Sequence, residues 1–162
     1  MKTKYIVLTV GIVFLTTPLF GQTIFEKIKE VPWVGTGTLM NSPATYSMHW
    51  SQELDNAFYT LDFENNRKTT DGNDITFKAK AYYKVTQDTM VSGTWFDARG
   101  VQFPLKGTVS ENLLTIFWGS PETEQGKTVY TYTKEVGITV QDYILNKEAY
   151  YKFGTATYPN PK

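Results

Sequence analysis

His49 is the only histidine in the chain, so any histidine-dependent base or metal ligand would have to be this residue. Ser47 and Ser51 lie two positions to either side of it. In an extended strand that spacing is about 7 Å, beyond the direct hydrogen bond that a nucleophile and its base require. No G-x-S-x-G elbow is present. The residues therefore predict no catalytic nucleophile. A transition-metal site usually takes several His or Cys ligands, and one histidine with no cysteine does not supply them. Asp71-Gly72-Asn73-Asp74 matches a fragment of a calcium loop but lacks the glutamate at the required spacing, so it reads as a hairpin turn. Haem needs only one axial histidine. His49, however, shares strand parity with Ser47 and Ser51, opposite the apolar face of Tyr46, Met48 and Trp50, which points it to solvent. No metal and no cofactor is expected.

Two carboxylates stand in apolar, strand-like surroundings, Asp97 and Asp142. Each is read first as a structural acid, paired with a cation such as Arg99. An acid facing an internal cavity without a cation would instead be a candidate base. Trp33-Val34-Gly35-Thr36-Gly37 is glycine-rich, but no helix follows it to receive a phosphate. The positive signal is aromatic. Trp50, Trp95, Trp118, Tyr130, Tyr132 and Phe153 fall within expected strands. With Arg99 as a polar handle, they are the candidate ligand-binding residues if the strands enclose a cavity. Otherwise they fill its centre. Both faces of the segment around Trp95 carry aromatics, so parity alone leaves open which one points inward.

These side chains need a frame, and the sequence describes one. From Trp33 onward apolar and polar residues alternate in runs about ten residues apart. The expected strands are 33–41, 44–53, 56–65, 74–86, 88–98, 101–109, 112–118, 126–134, 136–145 and 148–158. Turn residues separate them at Asn41-Ser42-Pro43, at 71–74, at Arg99-Gly100, at Ser110-Glu111-Asn112 and between Gly119 and Gly126. Ten consecutive strands with short links remove their edges by closing, which predicts an all-β, antiparallel up-and-down barrel; a two-sheet sandwich is the alternative. A barrel of more than eight strands is too wide for side chains alone to fill. Ahead of it, Thr23 and Glu26 have capping-box spacing, and Ile24, Phe25, Ile28 and Val31 share a helical face that Pro32 ends. A short N-terminal helix follows, packed on the domain or plugging one end of the barrel.

The first 21 residues differ. Lys2 and Lys4 precede an apolar run from Ile6 to Phe20, with Gly21 at its exit. That is the pattern of a secretory signal peptide, with a retained membrane anchor as the rival reading. Cleavage after Gly21 leaves a single domain, 22–162, exported to the periplasm or beyond. The loss of two lysines leaves 14 basic against 16 acidic residues, a charge of −2. Such a chain has no electrostatic case for nucleic acid or an anionic membrane surface. The absence of cysteine excludes both a disulfide framework and a lipid-modified N-terminal cysteine, so no stable membrane anchor is expected after cleavage.

Several short motifs extend across residues 33–158: Trp33-x-Gly35-x-Gly37, Gly93-Thr94-Trp95-Phe96-Asp97-x-Arg99-Gly100, Leu114-x-x-x-Trp118-Gly119, Thr128-Val129-Tyr130 and Phe153-Gly154-x-Ala156-x-Tyr158. Together they resemble a lipocalin-like (calycin-type) family of secreted bacterial proteins of unknown function. The Trp-x-Gly-x-Gly opening is also similar to that of nitrobindins, ten-stranded haem-binding barrels. Their haem histidine lies near the C-terminus, where this chain has none, so haem binding does not carry over. The calycin resemblance implies an up-and-down barrel around a small hydrophobic ligand. Three functions follow as expectations: a non-enzymatic carrier or sensor of a small apolar molecule, a cofactor-free isomerase or cyclase using Asp97 or Asp142 as base, and an outer-membrane barrel. Lys78, Lys80 and Lys84 share one parity, which bars that face from lipid.

Overall fold

The protein is described by a computed structural model that covers residues 22–69, 71–87 and 89–161. The expected signal peptide lies outside the described residues. The alternating segments form ten antiparallel strands: β1 (Pro32–Leu39), β2 (Ser42–Glu53), β3 (Phe58–Lys68), β4 (Asp74–Thr86), β5 (Met90–Asp97), β6 (Gln102–Val109), β7 (Leu113–Gly119), β8 (Gln125–Thr133), β9 (Gly137–Asn146) and β10 (Ala149–Tyr158). Each pairs with its neighbours in sequence, and β1 pairs with β10 from Thr36↔Thr157 to Leu39↔Gly154. The sheet is thus a closed up-and-down barrel, as expected, and no strand is left with an open edge.

Period-two alternation sets which side chains fill it. In β6, Phe103, Leu105, Gly107 and Val109 are buried, whereas Gln102, Pro104, Lys106 and Thr108 are exposed. In β2, Tyr46, Met48 and Trp50 point inward, with Ser47 and His49 exposed on the outer wall. The outer wall of β3 and β4 carries a charge ladder. Lys78 pairs with Glu64 at 3.3 Å, and Lys80 bridges Glu53 at 3.0 Å and Asp62 at 3.3 Å. The first hairpin turns at Met40-Asn41, both at positive φ, earlier than the sequence suggested. Asparagine tolerates that region, and Ser42 and Pro43 are thereby taken into β2.

The N-terminal helix, α1 (Ile24–Ile28), closes one end of the barrel. Ile24, Phe25 and Ile28 are fully buried. Phe25 stacks on Tyr59 at 4.4 Å between ring centres and also meets Trp50 at 5.5 Å and Tyr83 at 5.9 Å. Backbone bonds fasten the segment to the wall, from Ile24 N to Ser110 O at 2.8 Å and from Glu30 N to Trp50 O at 2.6 Å. The capping box expected of Thr23 and Glu26 does not form: Thr23 occupies the N-cap position, but its side chain makes no capping bond. Glu26 instead accepts a hydrogen bond from the Tyr59 hydroxyl and pairs with Lys29 at 2.9 Å. A tyrosine brought into the core by stacking must still satisfy its hydroxyl, and Glu26 is the acceptor within reach.

Candidate functional site

With α1 sealing one end, the other half of the barrel is left open. A cavity of about 450 Å³ opens at the far end. Its mouth is formed by chain segments opposite the helix: Leu39 at the end of β1, Met40 in the first turn, Arg67 near the end of β3, Ile75 at the start of β4, and Arg99 and Glu124 in loops. The walls are mostly apolar, with Phe63, Phe77, Trp95, Phe103, Ile116 and Trp118 among them.

Local geometry fixes these rings. Trp118 lies opposite Gly126 across β7 and β8. A Cβ on Gly126 would stand 2.1 Å from Trp118 Cζ2, so the indole lies over a position that tolerates no side chain. Phe153 is the extra residue of a bulge between Lys152 and Gly154 in β10, and the bulge turns it into the cavity. Trp95 Nε1 donates to Asp97 Oδ2 at 3.2 Å.

Arg99 caps one side of the mouth. Its guanidinium lies over the Phe77 and Phe103 rings, 5.8 and 5.9 Å from their centres. It pairs with Asp97 Oδ2 at 2.8 Å and Glu124 Oε1 at 2.6 Å. Asp97 has no exposed side-chain surface. Burial alone would raise its pKa, but hydrogen bonds from the Arg99 side chain and backbone and from Trp95 outweigh that and hold the carboxyl below its ordinary value. Asp97 is therefore tied into an ion pair.

Asp142 is in the opposite situation. It lines the cavity from β9 and accepts a 2.7 Å hydrogen bond from Thr128 Oγ1 on β8. No cation pairs with it among the described residues. Burial pushes its pKa up to about 6, opposed only by the Thr128 bond. Tyr46, Tyr83 and Tyr130 surround it on the cavity wall, and each has its pKa raised, by burial first and by the Asp142 charge besides. For Tyr46 the value reaches about 12. Asn65 faces Tyr46 across β2 and β3. It also lines the cavity, is 4 % exposed, and its Oδ1 finds no hydrogen-bond partner among the described residues.

Of the seven residues singled out in the sequence, Trp95, Arg99, Trp118, Tyr130 and Phe153 meet around this cavity. The other two lie elsewhere. Trp50 is fully buried beneath it, packed on Phe25, Tyr83 and Tyr130. Tyr132 stands edge-on to Trp33 near the helix, with Lys27 Nζ 5.9 Å from its ring centre. His49 is on the outer wall, away from the cavity. Sequence reasoning missed Asn65, Tyr46, Tyr83 and Arg67. The signal for Asn65 was present, since it continues the inward parity of Leu61 and Phe63 and is the first uncharged polar residue to break it.

The chain matches no known protein-family model, and no curated protein is significantly similar to it in sequence. The geometry of the cavity is therefore the basis for a functional reading.

Proposed function

We propose that the protein is a non-enzymatic binding protein that holds one small, largely apolar molecule in the barrel. The observation that carries this reading is an open-mouthed cavity of about 450 Å³ walled by aromatic rings, with a few convergent polar groups at Asp142, Asn65 and the nearby tyrosines. Pockets of this size and make-up enclose drug-sized ligands and fix their orientation through the polar groups. Arg99 is engaged by Asp97 and Glu124, so its part is to shape the mouth rather than to orient the ligand as the sequence suggested. The ion pairs on the outer wall of β3 and β4 suit a water-facing surface better than the lipid-facing band of an outer-membrane barrel. The calycin resemblance and an exported location belong to the same proposal.

Titration with N-phenyl-1-naphthylamine, a neutral apolar probe, tests it. Saturable binding of one probe per chain is expected. It should be lost in Ile116→Trp, which fills the cavity from a buried wall position, with far-ultraviolet circular dichroism checking that the barrel still forms. Absence of saturable binding, or equal binding by the filled variant, refutes the carrier reading.

One observation favours a second reading, a cofactor-free enzyme with Asp142 as general base. A carboxyl that faces a cavity with no cation paired to it among the described residues, and whose pKa rises to about 6, is poised for proton transfer near neutral pH. Apolar ligand extracted from the protein after incubation in deuterated water distinguishes the two. Deuterium incorporated by wild type but not by Asp142→Asn supports the enzyme, whereas unlabelled ligand supports the carrier.

A further inference from the structure

Two acceptors of the cavity wall lack the partners that their burial calls for. Asp142 offers a carboxylate whose Oδ1 receives the Thr128 hydroxyl alone among the described residues. Asn65 Oδ1 is buried and receives nothing among the described residues. The hydroxyl of Tyr46, the cross-strand partner of Asn65, already donates to Thr38 O at 3.0 Å. Buried acceptors without donors are costly, and a buried carboxylate without a cation more so. In a cavity open to ligand, the missing donors and the missing positive charge can come from the occupant. The rings of Trp95 and Trp118 in the same cavity add π faces that attract a cation.

We propose that the occupant carries a protonated amine on an apolar, ring-bearing skeleton, its ammonium directed at the Asp142 carboxylate with the Asn65 amide oxygen as a second acceptor. This deepens the carrier reading and rests on it. A carboxylate-headed ligand meets the wrong partners at that depth, a like charge at Asp142 and an acceptor at Asn65. Its one favourable seat is the mouth, where Arg67 lines the rim. Around Asp142, Tyr46, Tyr83, Tyr130 and Tyr158 are all shifted upward and stay neutral, and Arg67, Arg99 and Glu124 are the other charged side chains that line the cavity.

The test is calorimetric titration of the protein, freed of co-purifying molecules, with three ligands of one skeleton: 2-(1-naphthyl)ethylamine, 2-(1-naphthyl)ethanol and 3-(1-naphthyl)propionate. At about pH 8 the amine is expected to bind at least about tenfold more tightly than the alcohol, the difference a charge-assisted bond makes. That advantage should shrink as pH falls through about 6 and Asp142 takes up a proton. Asp142→Asn should bind amine and alcohol alike. If that variant fails to fold, the pH series on wild type decides. Equal binding of amine and alcohol, tighter binding of the carboxylate, or an amine preference indifferent to pH overturns the amine proposal and leaves the carrier reading intact. Failure of all three ligands to bind overturns both.

Discussion

Thr128 Oγ1 donates to Asp142 Oδ1 at 2.7 Å across β8 and β9, and this bond is all that opposes the burial of the carboxyl. Asp97, at the end of β5, has Arg99, Trp95 and a backbone amide. One barrel thus contains two inward carboxylates in opposite electrostatic states. Arg99 and its neighbours neutralise one of them, and the other has no cation paired with it among the described residues.

The unpaired carboxyl should weaken the fold as pH rises. The folded-state pKa of Asp142, about 6, lies above its ordinary value of 3.8. Between those two values the folded chain holds a proton that the unfolded chain has released, so stability falls with rising pH across that window and is level above it. The whole effect is on the order of 3 kcal/mol. Asp142→Asn keeps an acceptor for Thr128 and removes the charge. It should therefore be more stable than wild type above about pH 6, with the gain disappearing toward about pH 4. Urea melts of both proteins across that range measure the difference. A variant less stable than wild type at neutral pH would contradict the assignment of an unpaired carboxyl.

Gly126 should tolerate no side chain. A Cβ there would lie 2.1 Å from Trp118 Cζ2 and 2.2 Å from Tyr143 O, so indole and backbone must both move. Gly126→Ala is expected to cost about 1–3 kcal/mol and to drive Trp118 toward the cavity. The readouts are a lowered denaturation midpoint and a shift in tryptophan near-ultraviolet circular dichroism. An unchanged midpoint would mean that the β7–β8 pair is looser than described.

The barrel was legible in the sequence because alternation, clearest in β2 and β6, and turn residues between strands recur along the chain and agree with the closed topology. The direction of each face was harder to read. Trp95 and Phe96 are adjacent aromatics, one inside at the cavity and the other 43 % exposed outside, and nothing local separates them. Once β5 is flanked by β4 and β6, the parity of Ala81 and Phe103 decides it. Trp50 was misread as a cavity residue for a related reason. Where along the barrel axis a side chain falls depends on strand stagger and on how deep α1 reaches, and neither is local to Trp50. Asp142 was legible as an acid in apolar, strand-like surroundings after Ile138 and Val140, whereas Asn65, which breaks the parity of Leu61 and Phe63 in the same way, was missed. That both face the same open space follows only from closure.

Phe25 should account for much of the helix's hold on the barrel. Its ring has no exposure and contacts Tyr59, Trp50 and Tyr83. Phe25→Ala should cost about 3–5 kcal/mol in guanidinium melts, the range for a large ring removed from a packed core. A loss below about 1 kcal/mol would show that α1 rests on the barrel end without filling it.

Arg99→Gln separates the clamp at the mouth from the cavity chemistry. The substitution removes the charge that offsets the burial of Asp97 and leaves the carboxyl with Trp95 Nε1 and the backbone amide of residue 99. Arg99 is itself 48 % exposed, so solvent screens part of the pair. The expected loss is about 1–2 kcal/mol at neutral pH, less than for a fully buried pair. The folded-state pKa of Asp97 lies below its ordinary value, so the stability from its ionised form is present above that value and lost as pH falls through the folded one. Wild type and Arg99→Gln should therefore converge in strongly acidic solution and diverge as pH rises, the reverse of the slope expected from Asp142. Thermal melts from about pH 3 to about pH 7 record both trends. A gap that stays constant over this range would mean that Arg99 acts by covering Phe77 and Phe103 rather than by its charge.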